Sequence, residues 1–68
     1  MRFSYNKLWS LLSSRGLNRE DLRKISGIST TSVAKLGKGE NVMTNVLLKI
    51  CSSLHCDISE IVECVENK

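Results

Sequence analysis

The stretch that decides the fold is residues 18–36, which read NREDLRKISGISTTSVAKL. Asn18 is a favourable N-cap, and Asp21 three residues later completes a variant of the capping box, so a helix is predicted to begin here. Gly27 ends that helix, because glycine readily adopts a positive φ angle. Ser29 is then predicted to cap a second short helix. The segment is therefore predicted to form two short helices joined by a tight turn.

Apolar residues in this stretch recur at a spacing that would bury one side of each helix. We expect five of them to fix the angle between the helices: Leu22, Ile25, Ile28, Val33 and Leu36. Two helices meeting across a glycine-containing turn have the geometry of a helix-turn-helix, in which the second helix lies in the major groove of DNA. The spacing by itself also fits a helical hairpin with only a structural role.

Helical periodicity continues on both sides of this segment. Upstream it predicts an amphipathic helix over about residues 5–14, ended near Gly16. Downstream it predicts a fourth helix over about 44–54, and a capping box of Asp57 and Glu60 predicts a fifth. The apolar residues of that fifth helix are Ile58, Ile61, Val62 and Val65. No alternating pattern of a strand is apparent.

These elements predict an all-α fold of five short helices. With 68 residues the chain has room for one small domain, so residues 1–68 are expected to form one unit. Within it the helix-turn-helix would span about 18–36 and the two closing helices about 44–65. No apolar run approaches the ~18 residues of a membrane span, and no signal peptide is apparent. The sequence therefore predicts a cytoplasmic protein with no membrane partner.

The charges divide unevenly along the chain. Residues 1–39 contain eight Lys/Arg and two acids, a net of +6, whereas residues 40–68 contain two Lys and five acids, a net of −3. The division fits two ordinary solvated faces, and it also fits a polyanion-binding first half joined to a second half with another role. All three aromatic residues lie within the first nine positions, which disfavours a base-stacking platform for single strands.

The sequence offers little for metal binding or catalysis. Cys51, His55 and Cys56 form a cluster that needs Cys64 as its fourth ligand, but free cysteine on an apolar helix face more often acts as a small hydrophobe. One histidine, no glycine-rich phosphate loop and no paired carboxylates argue against an enzyme. We therefore expect a protein that is not an enzyme and uses no metal or cofactor.

The sequence also resembles a known family. The run LNREDLRKISGISTTSVAKLGKGENV, residues 17–42, resembles the helix-turn-helix of the XRE, or Cro/phage-repressor-like, DNA-binding family. The run LLKICSSLHCDISEIVE, residues 47–63, resembles the helices that close its five-helix, lambda-repressor-like domain. Residues 27–42 are also similar to a subgroup of small stand-alone bacterial regulators. The resemblance implies a sequence-specific, double-stranded DNA-binding transcriptional regulator, expected to be a repressor.

The resemblance implies which residues contact DNA. Three would face base edges: Thr30, Thr31 and Lys35. This agrees with their chemistry, because lysine favours guanine O6/N7 and threonine suits several bases, although both threonines also suit a helix start. Six others would contact the DNA backbone or hold the recognition helix in place on it: Arg19, Ser29, Ser32, Lys38, Gly39 and Asn41. Arg19 stands where the family usually has a glutamine.

Two departures from the family concern one ion pair. The family commonly pairs an arginine of the first helix with a glutamate at the end of the recognition helix. Leu12 and Gly37 occupy these positions here, so both partners are absent. Replacing both members of a buried pair by apolar or small groups is often neutral, so the change does not argue against the fold.

Family members generally bind DNA as dimers, so a homodimer is expected. Its candidate interface comprises Ile61, Val62, Val65 and Trp9. The same residues equally suit closing the core of one chain. An alternative function is a protein-interaction module, such as an antitoxin or mobile-element regulator whose main partner is another protein.

Overall fold

Four α-helices account for most of the chain, of which the computed structural model describes residues 1–66. The helices are α1 (Asn6–Ser14), α2 (Arg19–Ser26), α3 (Thr30–Lys38) and α4 (Thr44–Leu54). A single 3₁₀ turn, Ile58–Glu60, follows α4. Two strands, β1 (Arg2–Ser4) and β2 (Glu63–Val65), pair antiparallel at the two ends of the described chain. No helix within residues 1–66 is long and apolar enough to cross a bilayer.

The helix-turn-helix forms where its capping residues predict it. Asn18 Oδ1 accepts the backbone N–H of Asp21 at 2.8 Å, and Asp21 Oδ2 accepts that of Asn18 at 3.0 Å. This reciprocal box satisfies donors that the first turn of α2 leaves unpaired. Gly27 ends α2 with a φ of 73°, in the left-handed region that glycine adopts without a steric cost. The predicted N-cap of α2 at Asn18 and the predicted end of α2 at Gly27 are therefore confirmed.

The core lies where all four helices meet. Its buried members are Tyr5, Leu8, Leu12, Leu22, Ile28, Leu36, Leu47, Ile50, Leu54 and Ile61. Ile28, from the turn between α2 and α3, is 5% exposed and fixes the angle between them as predicted. The prediction for Ile25 is wrong, because its side chain is 48% exposed. Ser53 of α4 donates a hydrogen bond to the Ile25 carbonyl oxygen at 3.1 Å, so α4 approaches the backbone of α2 there.

The predicted fifth helix does not form. Its capping box is present, with Glu60 Oε2 accepting the Asp57 N–H at 2.7 Å, but the helical conformation stops after one 3₁₀ turn. The chain then extends into β2, where Cys64 stands opposite Phe3 of β1. The expectation that no strand occurs is therefore also wrong. A strand of three residues is stabilised by its partner from the other end of the chain, which local periodicity does not reveal.

Tyr5 connects the start of α1 to the loop after α3. Its hydroxyl donates a hydrogen bond to the Glu40 carbonyl oxygen at 2.9 Å, and its side chain is buried. Burial raises the pKa of the Tyr5 phenol, and a hydrogen bond with the backbone of Val42 opposes that change in part. This contact holds the loop that begins at Gly39 against the core.

Candidate nucleic-acid interface

The start of α3 is held by its own serines. Ser29 Oγ accepts the backbone N–H of Ser32 at 3.1 Å, which confirms Ser29 as the N-cap. The Ser29 hydroxyl also donates to Ser32 Oγ at 3.1 Å. Both serines thus stabilise the first turn of α3 and hold Thr30 and Thr31 in solvent.

The residues predicted to read bases lie on the outer side of α3. Thr30, Thr31 and Lys35 are all exposed, whereas Leu36 on the opposite side is 1% exposed. Thr31 and Lys35 are four positions apart and are therefore neighbours on one helix face. The structure thus brings a hydroxyl-bearing and an ammonium-bearing side chain together on one face of α3.

The loop after α3 is organised around Gly39. Gly39 ends α3 with a φ of 74°, and its N–H bonds the Leu36 carbonyl oxygen at 3.2 Å. The Glu40 N–H bonds the Lys35 carbonyl oxygen at 2.9 Å. These two amides are therefore already used in closing the helix, whereas the side chains of Lys38 and Asn41 are exposed. Gly39 shapes the loop through its conformation.

Arg19, the first residue of α2, lies between two other elements. Its Cζ atom is 4.4 Å from the centroid of the Trp9 ring of α1, a cation–π distance. Arg19 also lies close to Gly37 of α3, where a Cβ atom would lie 2.7 Å from Arg19 Nη1. The sequence did not indicate these contacts, because Trp9, Arg19 and Gly37 belong to three different helices.

The basic side chains of this region differ in their partners. Arg23 pairs with Glu20 one turn earlier, and the Arg23 guanidinium lowers the pKa of the Glu20 carboxyl through its hydrogen bond. Among residues 1–66 the other ion pair joins Lys7 and Glu63, at 4.0 Å. Arg19, Lys35 and Lys38 belong to neither pair. Their three positive charges therefore stand around the outer side of α3 without a carboxylate partner among the described residues.

The candidate dimer residues occupy different environments. Ile61 is completely buried in the core of the single chain, so its side chain has no surface to offer a second subunit. Val62 and Val65 are half-buried, and Trp9 is half-buried beneath Arg19. Burial removes Ile61 from the predicted interface, whereas Val62, Val65 and Trp9 are each accessible in part.

The cysteines do not gather into one site. Cys51 and Cys56 are half-buried and pack against the core, whereas Cys64 is exposed on β2. Burial raises the pKa of the Cys56 thiol. Within residues 1–66 no three His, Cys, Asp or Glu side chains converge as metal ligands would.

Comparisons with known proteins agree with this arrangement. The family model described as the Cro/C1-type HTH DNA-binding domain matches residues 7–67. A solved structure titled transcriptional regulator VanUg, form II, is similar to this chain at 48% identity with a TM-score of 0.93. That match covers 97% of this chain and 88% of the other. Curated protein sequences contained no match. The resemblance to the XRE family is confirmed: the chain belongs to the Cro/C1-type helix-turn-helix DNA-binding family.

Proposed function

We propose that this chain is a transcriptional regulator that binds double-stranded DNA at specific sequences and represses the genes it controls. The observation that carries the proposal is the outer side of α3, where exposed Thr31 and Lys35 are neighbours and lie beside unpaired cations. Membership of a DNA-binding family and similarity to a protein titled transcriptional regulator support it.

In the proposed complex α3 lies in the major groove. Lys35 donates to guanine O6 or N7, and Thr31 uses its hydroxyl or its methyl group on an adjacent base. Thr30, at the start of the helix, completes the set of base-reading side chains. Two short threonines and one flexible lysine discriminate between bases less than a bidentate arginine would. Specificity therefore also depends on the fixed position of α3.

The proposed phosphate contacts flank α3 on two sides. Arg19 approaches from the start of α2, whereas Lys38 and Asn41 approach from the loop after α3. Ser29, Ser32 and Gly39 hold the two ends of α3 through their caps. Such contacts set the register of the protein on DNA without reading sequence, and they make binding depend on salt.

We further propose that residues 1–68 act as one DNA-reading unit and that two copies bind a palindromic site. The apolar side chains proposed to contact a second copy are those of Val62, which precedes β2, and Val65, which lies in β2. A two-fold dimer places its recognition helices in successive major grooves, so the half-sites would be separated by about one helical turn of DNA, ~34 Å.

Selection of bound sequences from a random duplex pool tests the proposal. We expect an enriched palindrome, and we expect Lys35→Ala and Thr31→Ala each to weaken binding to it by about 1–3 kcal/mol. Lys49→Ala removes a charge from an exposed position of α4 and serves as the matched control for net charge. No enriched sequence, or variants that bind as the control does, would overturn the proposal and favour the alternative of a protein-binding module.

A further inference from the structure

Gly37 is an unusual residue for its position in α3. It lies inside the helix, one residue before the last, and its φ is not positive, unlike those of Gly16, Gly27 and Gly39. The backbone therefore does not require glycine there, and glycine in a helix interior is less stable than alanine. What Gly37 provides is space, because no other residue type leaves the Cβ position empty.

The guanidinium of Arg19 occupies that space. A Cβ atom at position 37 would lie 2.7 Å from Nη1 of Arg19, well inside van der Waals contact, and 3.4 Å from its Cζ atom. The same guanidinium also lies over the Trp9 ring, with its Cζ atom 4.4 Å from the ring centroid. Gly37 and Trp9 thus hold one flexible cation between α3 and α1.

The Arg19 guanidinium lies next to the side of α3 that is proposed to contact DNA bases. Gly37 follows Thr30 by seven residues, two turns later on the same side of the helix. Arg19 is exposed, and no hydrogen bond or ion pair among residues 1–66 uses its N–H donors. The N–H donors of the Arg19 guanidinium are therefore available for the oxygens of a phosphate.

We propose that Trp9 and Gly37 are positioning residues that hold the Arg19 guanidinium ready for one phosphate of the DNA backbone. The proposal rests on the proposed function, since it concerns a contact with DNA. Neither positioning residue needs to contact DNA. Trp9 supplies a ring on which the cation stacks, and Gly37 leaves the volume that the cation fills.

Gly37→Ala separates this role from a structural one. The added methyl group meets the far end of a flexible side chain, so Arg19 is expected to move while the fold stays intact. The melting temperature should remain equal or rise, because alanine favours the helix. Affinity for the selected DNA site should nevertheless fall about three- to tenfold, and the slope of log K against log salt should lose about 0.9, one phosphate contact.

Further variants complete the test. Arg19→Ala should cause the same losses, and the double variant should bind no worse than Arg19→Ala alone, because both remove one contact. Trp9→Phe keeps a ring and should retain most of the affinity. Ser52→Ala, an exposed substitution on α4, controls for helix stabilisation by itself. Trp9 is the single tryptophan of the sequence, so its fluorescence in free protein should change alike in Gly37→Ala and Arg19→Ala.

The experiment distinguishes failure of the proposed function from failure of the positioning role. If wild-type protein binds no specific duplex, the proposed function fails and the positioning role fails with it. If wild-type protein binds its site and Gly37→Ala binds with unchanged affinity and salt slope, the positioning role is overturned while the function stands. Additive losses in the double variant would also overturn it, because Gly37 would then act independently of Arg19.

Discussion

His55 ends α4 in a conformation that its side chain does not favour. Its φ of 52° makes it the non-glycine residue with a positive φ among residues 1–66. The left-handed region brings Cβ close to the following carbonyl oxygen, which is why helices commonly end on glycine at such a position. The His55 side chain is exposed.

His55→Gly should therefore stabilise the protein. Removing Cβ relieves the left-handed strain, and the larger freedom of glycine in the unfolded chain offsets part of the gain, so we expect about 0.5–1 kcal/mol. Urea denaturation followed by circular dichroism measures the change. His55→Ala is the matched control, since it removes the imidazole but keeps Cβ. Equal stabilities of the glycine and alanine variants would show that the imidazole, and not the backbone, determines the effect.

At the scale of elements, the two ends of the chain form a short antiparallel ribbon. Phe3 stands opposite Cys64, with Arg2 opposite Val65 and Ser4 opposite Glu63. Directly opposite residues in an antiparallel pair have Cα atoms about 4.5–5.5 Å apart, which is within the range of a disulfide. A helix over the same residues would give no such pairing.

Phe3→Cys tests this element directly. The new thiol lies opposite Cys64, so mild oxidation should form an intrachain disulfide with the loss of two hydrogens, detected by mass spectrometry with peptide mapping. Because the bond closes nearly the whole chain into a loop, oxidation should raise the unfolding free energy by about 2–4 kcal/mol. Arg2→Cys places a thiol on the same strand but the opposite face. Equal cross-linking in both variants, or none in either, would contradict the observed register.

At the scale of the whole molecule, hydrogen bonds between distant segments hold the loops to the core. Arg15 Nη1 donates to the Leu54 carbonyl oxygen at 2.6 Å and links the end of α1 to the end of α4. The Tyr5 hydroxyl bonds the Glu40 carbonyl oxygen, and thereby links α1 to the loop beside the proposed phosphate contacts. The Tyr5 phenol also makes the stability of the fold depend on pH, because burial raises the pKa of this group.

The sign of this dependence follows from the raised pKa. The unfolded phenol loses its proton near pH 10 while the folded one keeps it, so stability is complete below about pH 10 and falls as pH rises further. Tyr5→Phe should cost about 1 kcal/mol at pH 8, since the Glu40 carbonyl oxygen loses its donor. The gap between wild type and variant should then narrow as the pH rises through about 10 and above it. Urea denaturation across this range measures it, and the ionisations common to both proteins cancel in the difference. A gap that stays constant would contradict the buried phenol.

Local signals determined most of the fold. Asn18 with Asp21 determined where α2 begins, Gly27 where it ends and Ser29 where α3 begins, because caps and left-handed glycines act within a few residues of themselves. The spacing of the apolar side chains determined the core, from Leu8 to Leu54. The threonines and the lysine of α3 were predicted from the resemblance to the family, and their exposure agrees with the periodicity, since residues outside the buried stripe face solvent.

Tertiary structure alone decided three other features. Ile58–Glu60 begins like a helix, and the strand after it exists because β1 supplies its hydrogen bonds. Ile61 is buried inside one chain because the 3₁₀ turn directs it into the core. The contact of Arg19 with Trp9 and Gly37 joins three helices. Caps and helical periodicity act within one turn or one helix, so the local sequence determines them. Strand pairing and the position of the Arg19 guanidinium depend instead on which distant segments the folded core brings together.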